Sequence, residues 1–296
     1  MGNHAASLAR PVEIRIAPGF YADTWRRLRR SPGAMVGLAI VGLFGTLAVL
    51  APLVAPANPI TQDLNARLLP PSWGHWLGTD DLGRDLLSRI IYGGRTSLTV
   101  GVVSISLALV VGALLGLLAG FYRGWADSVT MRTMDIMLAF PATLLAIFIV
   151  GIRGPSLNNA MLAIGVINIP IFARIVRGSV LRVRQEDFVE GARALGASQI
   201  RILGRHVLPN ALAPIIVQAT LGIGSAVLEA AGLSFLGLGA QAPTPEWGTM
   251  LTNTREFLRD APWAATFPGI AILLTVVGFN LLGDGLRDAL DPRLRQ

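Results

Sequence analysis

The sequence predicts an all-α, polytopic membrane protein with six membrane-spanning helices in one membrane domain. Hydrophobic residues make up 52% of the 296 positions and charged residues only 15%, and the mean hydropathy is +0.57. A water-soluble globule of this size would need more polar surface than such a composition supplies. Several apolar runs reach about 20 residues, the length that a helix needs to cross a ~30 Å hydrocarbon core.

Composition also limits the chemistry that this chain can perform. All 25 basic residues are arginine. Because a Walker A site requires a lysine, we expect ATP and its Mg²⁺ to be handled by another subunit and this chain to carry no cofactor of its own. There is no cysteine, and the three histidines (His4, His75 and His206) lie far apart, so no metal site is predicted. The net charge of +7 is attributed to loops held against anionic lipid rather than to nucleic acid.

The sequence predicts a basic cytoplasmic tail over residues 1–32, followed by a membrane domain over residues 33–288. The first membrane span is predicted at residues 33–55. A cleaved signal peptide is the competing interpretation, but signal peptides have a shorter basic segment ahead of their apolar run than residues 1–32. Residues 56–95 are polar and should lie partly along the membrane interface. We expect Thr79 or Asp80 to cap a helix there, with nearby arginines neutralising the acidic residues.

Three further spans are predicted at 97–122, 134–152 and 159–176. The second span carries a stripe of small residues at four-residue spacing, which favours close packing of two membrane helices; the stripe consists of Gly112, Gly116 and Gly120. Pro141 should kink the third span. Asn168 and Pro170 interrupt the fourth, and Arg174 and Arg177 are expected to end it.

The last two spans are predicted at 210–238 and 264–282, with residues 289–296 forming a cytoplasmic tail. Glu229 is a carboxylate inside a span, where an ionisable group is costly and therefore a functional candidate. Together with Asn168 and Asn280 it is a possible pathway residue; the alternative is a hydrated position near the outer end. The loop over 240–263 is expected to anchor Trp247 and Trp263 at the lipid headgroups.

A polar stretch between the fourth and fifth spans, residues 186–209, is predicted to form a helix–turn–helix hairpin on the cytoplasmic surface. Phe188, Ala192 and Leu195 share one helix face, and Gly196 can supply a turn with positive φ. After this turn, the helical spacing of apolar residues resumes at Ile200, Leu203 and Val207. An amphipathic connector helix resting on lipid headgroups is the alternative.

The 186–209 hairpin resembles the E-A-A-x3-G-x9-I-x-L-P loop of ABC importer permeases. Gly191 stands where a second alanine is usual, and His206 where the pattern has isoleucine. The resemblance implies that eight residues couple the chain to an ATPase: Glu190, Gly191, Ala192, Leu195, Gly196, His206, Leu208 and Pro209. Two other stretches, H-x2-G-T-D-x2-G-R-D-x2-S-R from His75 and the closing residues 279–292, are similar to C-type permeases of dipeptide and oligopeptide importers.

This family resemblance implies a set of partners and a location. The chain would be half of a pore completed by a second homologous permease, with two ABC ATPase subunits on one side and an extracytoplasmic substrate-binding protein on the other. It would lie in the bacterial cytoplasmic membrane with both termini inside, which places 18 of the 25 arginines on the cytoplasmic side. Peptides are the expected substrates. Nickel, glutathione or opine-like solutes remain alternatives, and an ion-coupled secondary transporter is the rival class.

Overall fold

The computed structural model describes residues 20–290, and within them it is a bundle of α-helices, as predicted. Most of the predicted N-terminal tail (1–19) and of the C-terminal tail (291–296) lies outside the described residues. The main helices are α1 (Phe20–Arg30), α2 (Pro32–Val49), α3 (Leu86–Tyr122), α4 (Gly124–Ala139), α5 (Ala142–Arg153), α6 (Leu157–Val183), α7 (Asp187–Ala194), α8 (Leu208–Phe235), α9 (Trp247–Thr254) and α10 (Trp263–Leu290). Short helical turns at Ala51–Val54, Leu64–Ala66, Gln199–Arg201, Ile202–Val207 and Arg255–Phe257 lie between them.

The number of membrane crossings depends on α4 and α5. Five helical segments are long and apolar enough to cross a membrane, and the α4–α5 pair, bent by 91° at residues 140–141, supplies a sixth if it counts as one span. Helices α3 and α6 lie side by side and run parallel, because Ser104 donates to the Met161 carbonyl (3.0 Å) while the stripe further along α3 packs against later residues of α6. Two parallel helices require the intervening chain to return across the bundle. The α4–α5 pair therefore makes one crossing, which gives six.

The small-residue stripe of α3 packs directly against α6. A Cβ atom added at Gly112 would lie 2.7 Å from the Ile169 carbonyl oxygen, one at Gly116 would overlap the Ala173 carbonyl, and one at Gly120 would lie 3.0 Å from the Val180 side chain. Real Cβ atoms do not approach so closely, so only glycine permits this helix separation. The prediction that the stripe serves packing is confirmed.

Helix α3 begins earlier than predicted. It runs without a break for 37 residues from Leu86, and its N-cap is Asp85, which accepts a hydrogen bond from the Ser88 backbone N–H at 2.9 Å. The prediction of a separate interfacial helix capped by Thr79 or Asp80 is therefore wrong. Asp85 is a good N-cap in its own right, and the apolar face of residues 86–91 packs inside the protein, so nothing interrupts the helix before the span.

Helix α6 also extends beyond its predicted end. It passes through Pro170 and continues to Val183, although Arg174 and Arg177 were expected to stop it. The two arginines are tolerated because each pairs with an aspartate of α4: Arg174 with Asp135 at 2.6 Å, and Arg177 with Asp127 through two hydrogen bonds.

The two ends of the described chain lie together. The side chains of Leu28, Ala34 and Ala289 form one buried cluster, and a Cβ added at Gly285 would collide with Ala34. Helix α2 packs antiparallel to α10, since a Cβ added at Gly285 would meet Ala34 and one added at the earlier Gly278 would meet the later Ile40. The N-terminal and C-terminal ends of the bundle therefore share one face, as an even number of crossings requires.

Trp247 occupies the core rather than the lipid headgroup region. Its side chain is 0% exposed, packs against Phe44 and donates from Nε1 to the Ile90 carbonyl at 2.9 Å. The prediction of a headgroup anchor is wrong at this position, because the indole N–H has found a backbone partner inside the bundle and no longer needs water.

Candidate functional site

The first arm of the 186–209 hairpin is α7, whose end is formed as the glycine predicts. Gly196 has φ +78°. Its N–H bonds to the Arg193 carbonyl at 3.0 Å, and the Ala197 N–H bonds to the Ala192 carbonyl at 3.1 Å. These two bonds form a Schellman motif, which satisfies the last carbonyls of a helix and reverses the chain. No other atom lies within 4 Å of a Cβ added at Gly196, so conformation rather than space favours glycine here.

The second arm is continuous with span helix α8. After a turn at Gln199–Arg201, residues Ile202–Val207 form a π-helical turn, and the Leu208 N–H bonds to the Leu203 carbonyl five residues back. Pro209 is the second residue of α8 and follows the π-helical turn directly, so the continuous helix lacks one backbone N–H donor at this position. The interpretation of Pro209 as the end of a separate short helix is wrong, since the arm and α8 form one helical rod.

Two valines and one isoleucine anchor the hairpin to the bundle. Val189, Ile202 and Val207 are fully buried, and they pack in a cluster with residues at the ends of α3, α6 and α8. Leu195 and Ile200, in contrast, are 90% and 81% exposed. The helical period correctly grouped Phe188 with Leu195, but that face points outward, and the sequence analysis missed Val189. The hairpin thus has a fixed base and an exposed apolar tip.

The base of the hairpin is strongly basic. Arg184, just after α6, donates to the Phe121 carbonyl and stacks over the Phe121 ring, with its guanidinium carbon 5.5 Å from the ring centroid. Burial lowers the pKa of Arg184, and the neighbouring charges of Arg193 and Arg123 lower it further. Glu190, in the first turn of α7, is exposed.

The eight predicted coupling residues lie on this one protruding structure. Glu190, Gly191, Leu195, Gly196 and Pro209 are exposed, whereas Ala192, His206 and Leu208 are half-buried. The His206 ring packs near Phe188, with 6.4 Å between the ring centroids, and so links the two arms. Their role in coupling stays a prediction.

Two of the three predicted pathway residues meet inside the bundle. Asn168 of α6 donates from Nδ2 to the Glu229 carboxylate of α8 at 3.0 Å and to the Ile164 carbonyl at 2.9 Å. Asn168 is buried and Glu229 half-buried. Asn280 is exposed on α10. The pairing of Asn168 with Glu229 could not be predicted from the sequence, because 61 residues separate them.

Comparison with known proteins identifies the architecture. Residues 112–296 match the model of the binding-protein-dependent transport system inner membrane component, and residues 19–71 match the N-terminal membrane domain of oligopeptide transport permease C. The chain belongs to this permease family. The motif resemblance is thereby confirmed, and the protein is a multi-pass inner-membrane permease of an ABC importer that works with ATPase and substrate-binding components.

Curated relatives match the permease along nearly its whole length. It is 52% identical to the dipeptide transport system permease protein DppC of Alkalihalophilus pseudofirmus, over 96% of this chain and 94% of the relative. It is 50% identical to the DppC of Escherichia coli K12, with 93% of each covered. The glutathione transport system permease protein GsiD of Pectobacterium atrosepticum is 46% identical, with 93% of this chain and 92% of the relative covered.

Solved structures share the fold of the permease. A chain of the MetNI methionine ABC transporter, in an inward-facing conformation, aligns with a TM-score of 0.57 at 19% identity, over 68% of this chain and 96% of that chain. A chain of an amino acid ABC transporter aligns with a TM-score of 0.55 at 13% identity, over 68% and 94% respectively.

At the opposite end of the permease from the hairpin, a buried charge cluster precedes α3. Asp80 bonds to Arg84 Nε at 2.7 Å and lies 3.2 Å from Arg89 Nε, and all three side chains are at most 4% exposed. Arg84 also lies 3.5 Å from Asp81, whose pKa is raised first by burial and then by the charge of Asp80. The arginines neutralise the acidic residues, as the sequence analysis predicted.

A buried glutamate that the sequence analysis did not consider lies near this cluster. Glu246, 1% exposed, caps α9 by accepting from the Gly248 and Thr249 N–H groups at 2.8 and 2.9 Å. The Ser97 hydroxyl of α3 donates to the same carboxylate at 3.3 Å. Glu246 therefore ties α9 to α3. Its position immediately after Pro245 and directly before the first residue of α9 was the signal in the sequence.

Proposed function

We propose that the chain is the permease subunit of an ATP-driven, binding-protein-dependent importer of dipeptides and oligopeptides. The observation that carries this proposal is the near-full-length identity of about half to relatives named as dipeptide permeases. A glutathione permease is almost as similar, and glutathione is itself a peptide-like solute. The described residues 20–290 contain no group of three or more metal-ligating side chains, so peptides are favoured over nickel.

The assembly that we propose contains two homologous permeases, two ATPase subunits and one extracytoplasmic binding protein. ATP and Mg²⁺ are bound by the ATPase subunits, since this sequence has no lysine for a Walker A site. The exposed apolar tip of the 186–209 hairpin suits insertion into an ATPase surface. Because its second arm continues into α8, a displacement at the hairpin would be transmitted along that helix to the outer end of the bundle.

Both termini are proposed to lie in the cytoplasm. The shared face of Leu28, Ala34 and Ala289 supports an even number of crossings, and the arginine distribution favours the hairpin side as the inside. Reporters fused after residue 296 and inserted into the 240–246 loop should be active in the cytoplasm and outside it, respectively. The reverse pattern would contradict the proposed topology.

The function is tested by uptake of a labelled dipeptide into proteoliposomes that contain this permease, its partner permease and the ATPases, with the binding protein added outside. Uptake should require the binding protein and internal ATP, and vanadate should abolish it. Uptake that persists with vanadate and follows an imposed ion gradient would instead support a secondary transporter. Labelled glutathione in the same vesicles distinguishes the narrower substrate alternatives.

A further inference from the structure

A cavity of about 210 Å³ lies at the outer end of the bundle, between the segment that leads into α3 and the segment that joins α8 to α9. Arg84 and Arg89 form one wall. The facing wall presents neutral polar side chains, among them Thr244, Thr249 and Asn253. None of the residues that line this outer cavity is acidic.

Both arginines are almost completely buried, yet their hydrogen bonds use only part of each guanidinium group. Arg84 donates from Nε to Asp80 at 2.7 Å, and Arg89 donates from Nη1 to the Pro59 carbonyl at 2.9 Å. The Nε atom of Arg89 has no hydrogen-bond partner among the described residues, although it lies 3.2 Å from Asp80. A guanidinium carries five N–H donors, so the two arginines that line the outer cavity retain donors that these bonds do not use.

The charge distribution favours an anion in this cavity. One carboxylate, Asp80, is shared by two arginines, and the second acid, Asp81, lies farther away at 3.5 Å from Arg84. Neither Asp80 nor Asp81 lines the outer cavity, although both line a smaller neighbouring space that shares the two arginines. Buried guanidinium donors next to neutral amide and hydroxyl groups are the arrangement that proteins use for planar, bidentate recognition of carboxylates.

We propose that the outer cavity binds the terminal carboxylate of a peptide on the extracytoplasmic side of the permease. This inference rests on the proposed function, which supplies both the peptide and the side of the membrane. The Arg84 and Arg89 pair would hold the carboxylate while the remainder of the peptide points out of the cavity, so the permease would contribute an initial contact of its own.

Binding is measured by saturation-transfer NMR on the complete permease–ATPase complex in lipid nanodiscs, with neither binding protein nor ATP. The probes are Ala-Ala, its C-terminal amide and inorganic phosphate. We expect a saturable signal for Ala-Ala, at least tenfold weaker binding of the amide, and weak competition by phosphate. Equal signals from Ala-Ala and its amide would overturn the proposal, as would phosphate competing as well as Ala-Ala, which would assign the cavity to free anions.

Two asparagine-to-aspartate variants, one in the cavity wall and one outside it, test the effect of an added negative charge. Asn253 is exposed at the cavity wall. Asn253→Asp should reduce Ala-Ala binding at least tenfold through repulsion, whereas Asn65→Asp, exposed at the same end of the bundle and not part of the cavity lining, should change it less than threefold. Equal effects of the two substitutions would overturn the proposal. Thr244→Asp, at another exposed wall position, should repeat the loss; normal binding by this second variant, with its melting temperature unchanged, would also overturn it.

The uptake assay separates this inference from the proposed function. Dipeptide uptake without a carboxylate-dependent NMR signal overturns the cavity assignment alone. A carboxylate-dependent signal in a complex that imports no peptide supports the cavity assignment and contradicts the proposed function alone.

Discussion

Several buried polar side chains in this bundle are paired, two of them with partners that lie 61 and 57 residues away in the sequence. The Asn168 amide donates to the Glu229 carboxylate, and the Ser104 hydroxyl donates to the Met161 carbonyl. The Asp80 carboxylate pairs with both Arg84 and Arg89. In a protein surrounded by lipid, an unpaired polar group finds no water, so each such group must find a partner inside the protein. The cost of removing one member of a pair therefore exceeds the net value of the interaction itself.

Asp80→Ala should leave two buried arginines without their shared carboxylate. We expect a loss of about 3–5 kcal/mol in the free energy of unfolding, the range for one member of a buried ion pair. The control is Asp135→Ala, which removes an exposed pair with Arg174 and should cost at most about 1 kcal/mol. Thermal unfolding of both variants in detergent measures the difference. Similar losses for the two would contradict the structural role of Asp80.

Glu229→Gln should change transport modestly and equally for all peptides. Glutamine keeps an oxygen where Asn168 Nδ2 donates, so the local structure should persist while the charge is lost. Uptake of a set of dipeptides with an unchanged binding protein is the measurement, with Glu229→Ala as the variant that also removes the acceptor. A changed order of substrate preference would show that Glu229 selects substrate.

The glycine stripe on α3 sets the separation between α3 and α6. Gly116→Ala would bring a Cβ into the Ala173 carbonyl, so α3 and α6 must move apart, at a cost of about 1–3 kcal/mol. Gly151→Ala in α5 is the control, because nothing lies within 4 Å of its added Cβ. That substitution should be neutral or stabilising by up to about 1 kcal/mol. Melting temperatures of the two variants test the comparison.

The elements that the sequence predicts well are those whose signal is local. The glycine stripe, the positive φ of Gly196 and the apolar spans all follow from neighbouring residues. The burial of Trp247 was not predicted because its hydrogen-bond partner, the Ile90 carbonyl, is distant in the sequence. The burial of Val189 was missed because it depends on the cluster at the ends of α3 and α6. The π-helical turn at Ile202–Val207 shifts the helical period, so Ile202 rather than Ile200 shares the buried face with Val207.

One helical rod joins the hairpin to the outer cavity. It begins in the second arm of the hairpin, continues as α8 past Glu229 and ends at Phe235 near the outer cavity, which Ser234 also lines. Along the way α8 packs on α3, where Gly101 contacts Val227, and on α10, where Gly224 contacts Phe279. A rigid displacement of this rod is a direct physical route from the cytoplasmic surface to the outer end.

This geometry predicts that Glu190 and Gly196 transmit force without contacting substrate. In Gly196→Val the side chain meets no neighbour, but a β-branched residue at φ +78° costs about 1–2 kcal/mol and should splay the two arms. Glu190→Lys adds a positive charge to the arginine-rich hairpin. It also reverses the sign of the charge that we propose contacts the ATPase. Both variants should reach the membrane at normal levels, yet retain less ATPase and lose substrate-stimulated hydrolysis.

The control for these variants is Gly191→Ala, which lies in the same helix, also has open space around its added Cβ, and should only increase helix propensity. Each variant complex is purified in lipid, and subunit retention is measured together with stimulated ATP hydrolysis. Full retention with normal stimulation in Gly196→Val and Glu190→Lys would exclude the coupling role. Absence of these two proteins from the membrane, with Gly191→Ala present at normal levels, would instead assign both residues to folding of the hairpin, because the anchoring residues Val189, Ile202 and Val207 could then no longer dock.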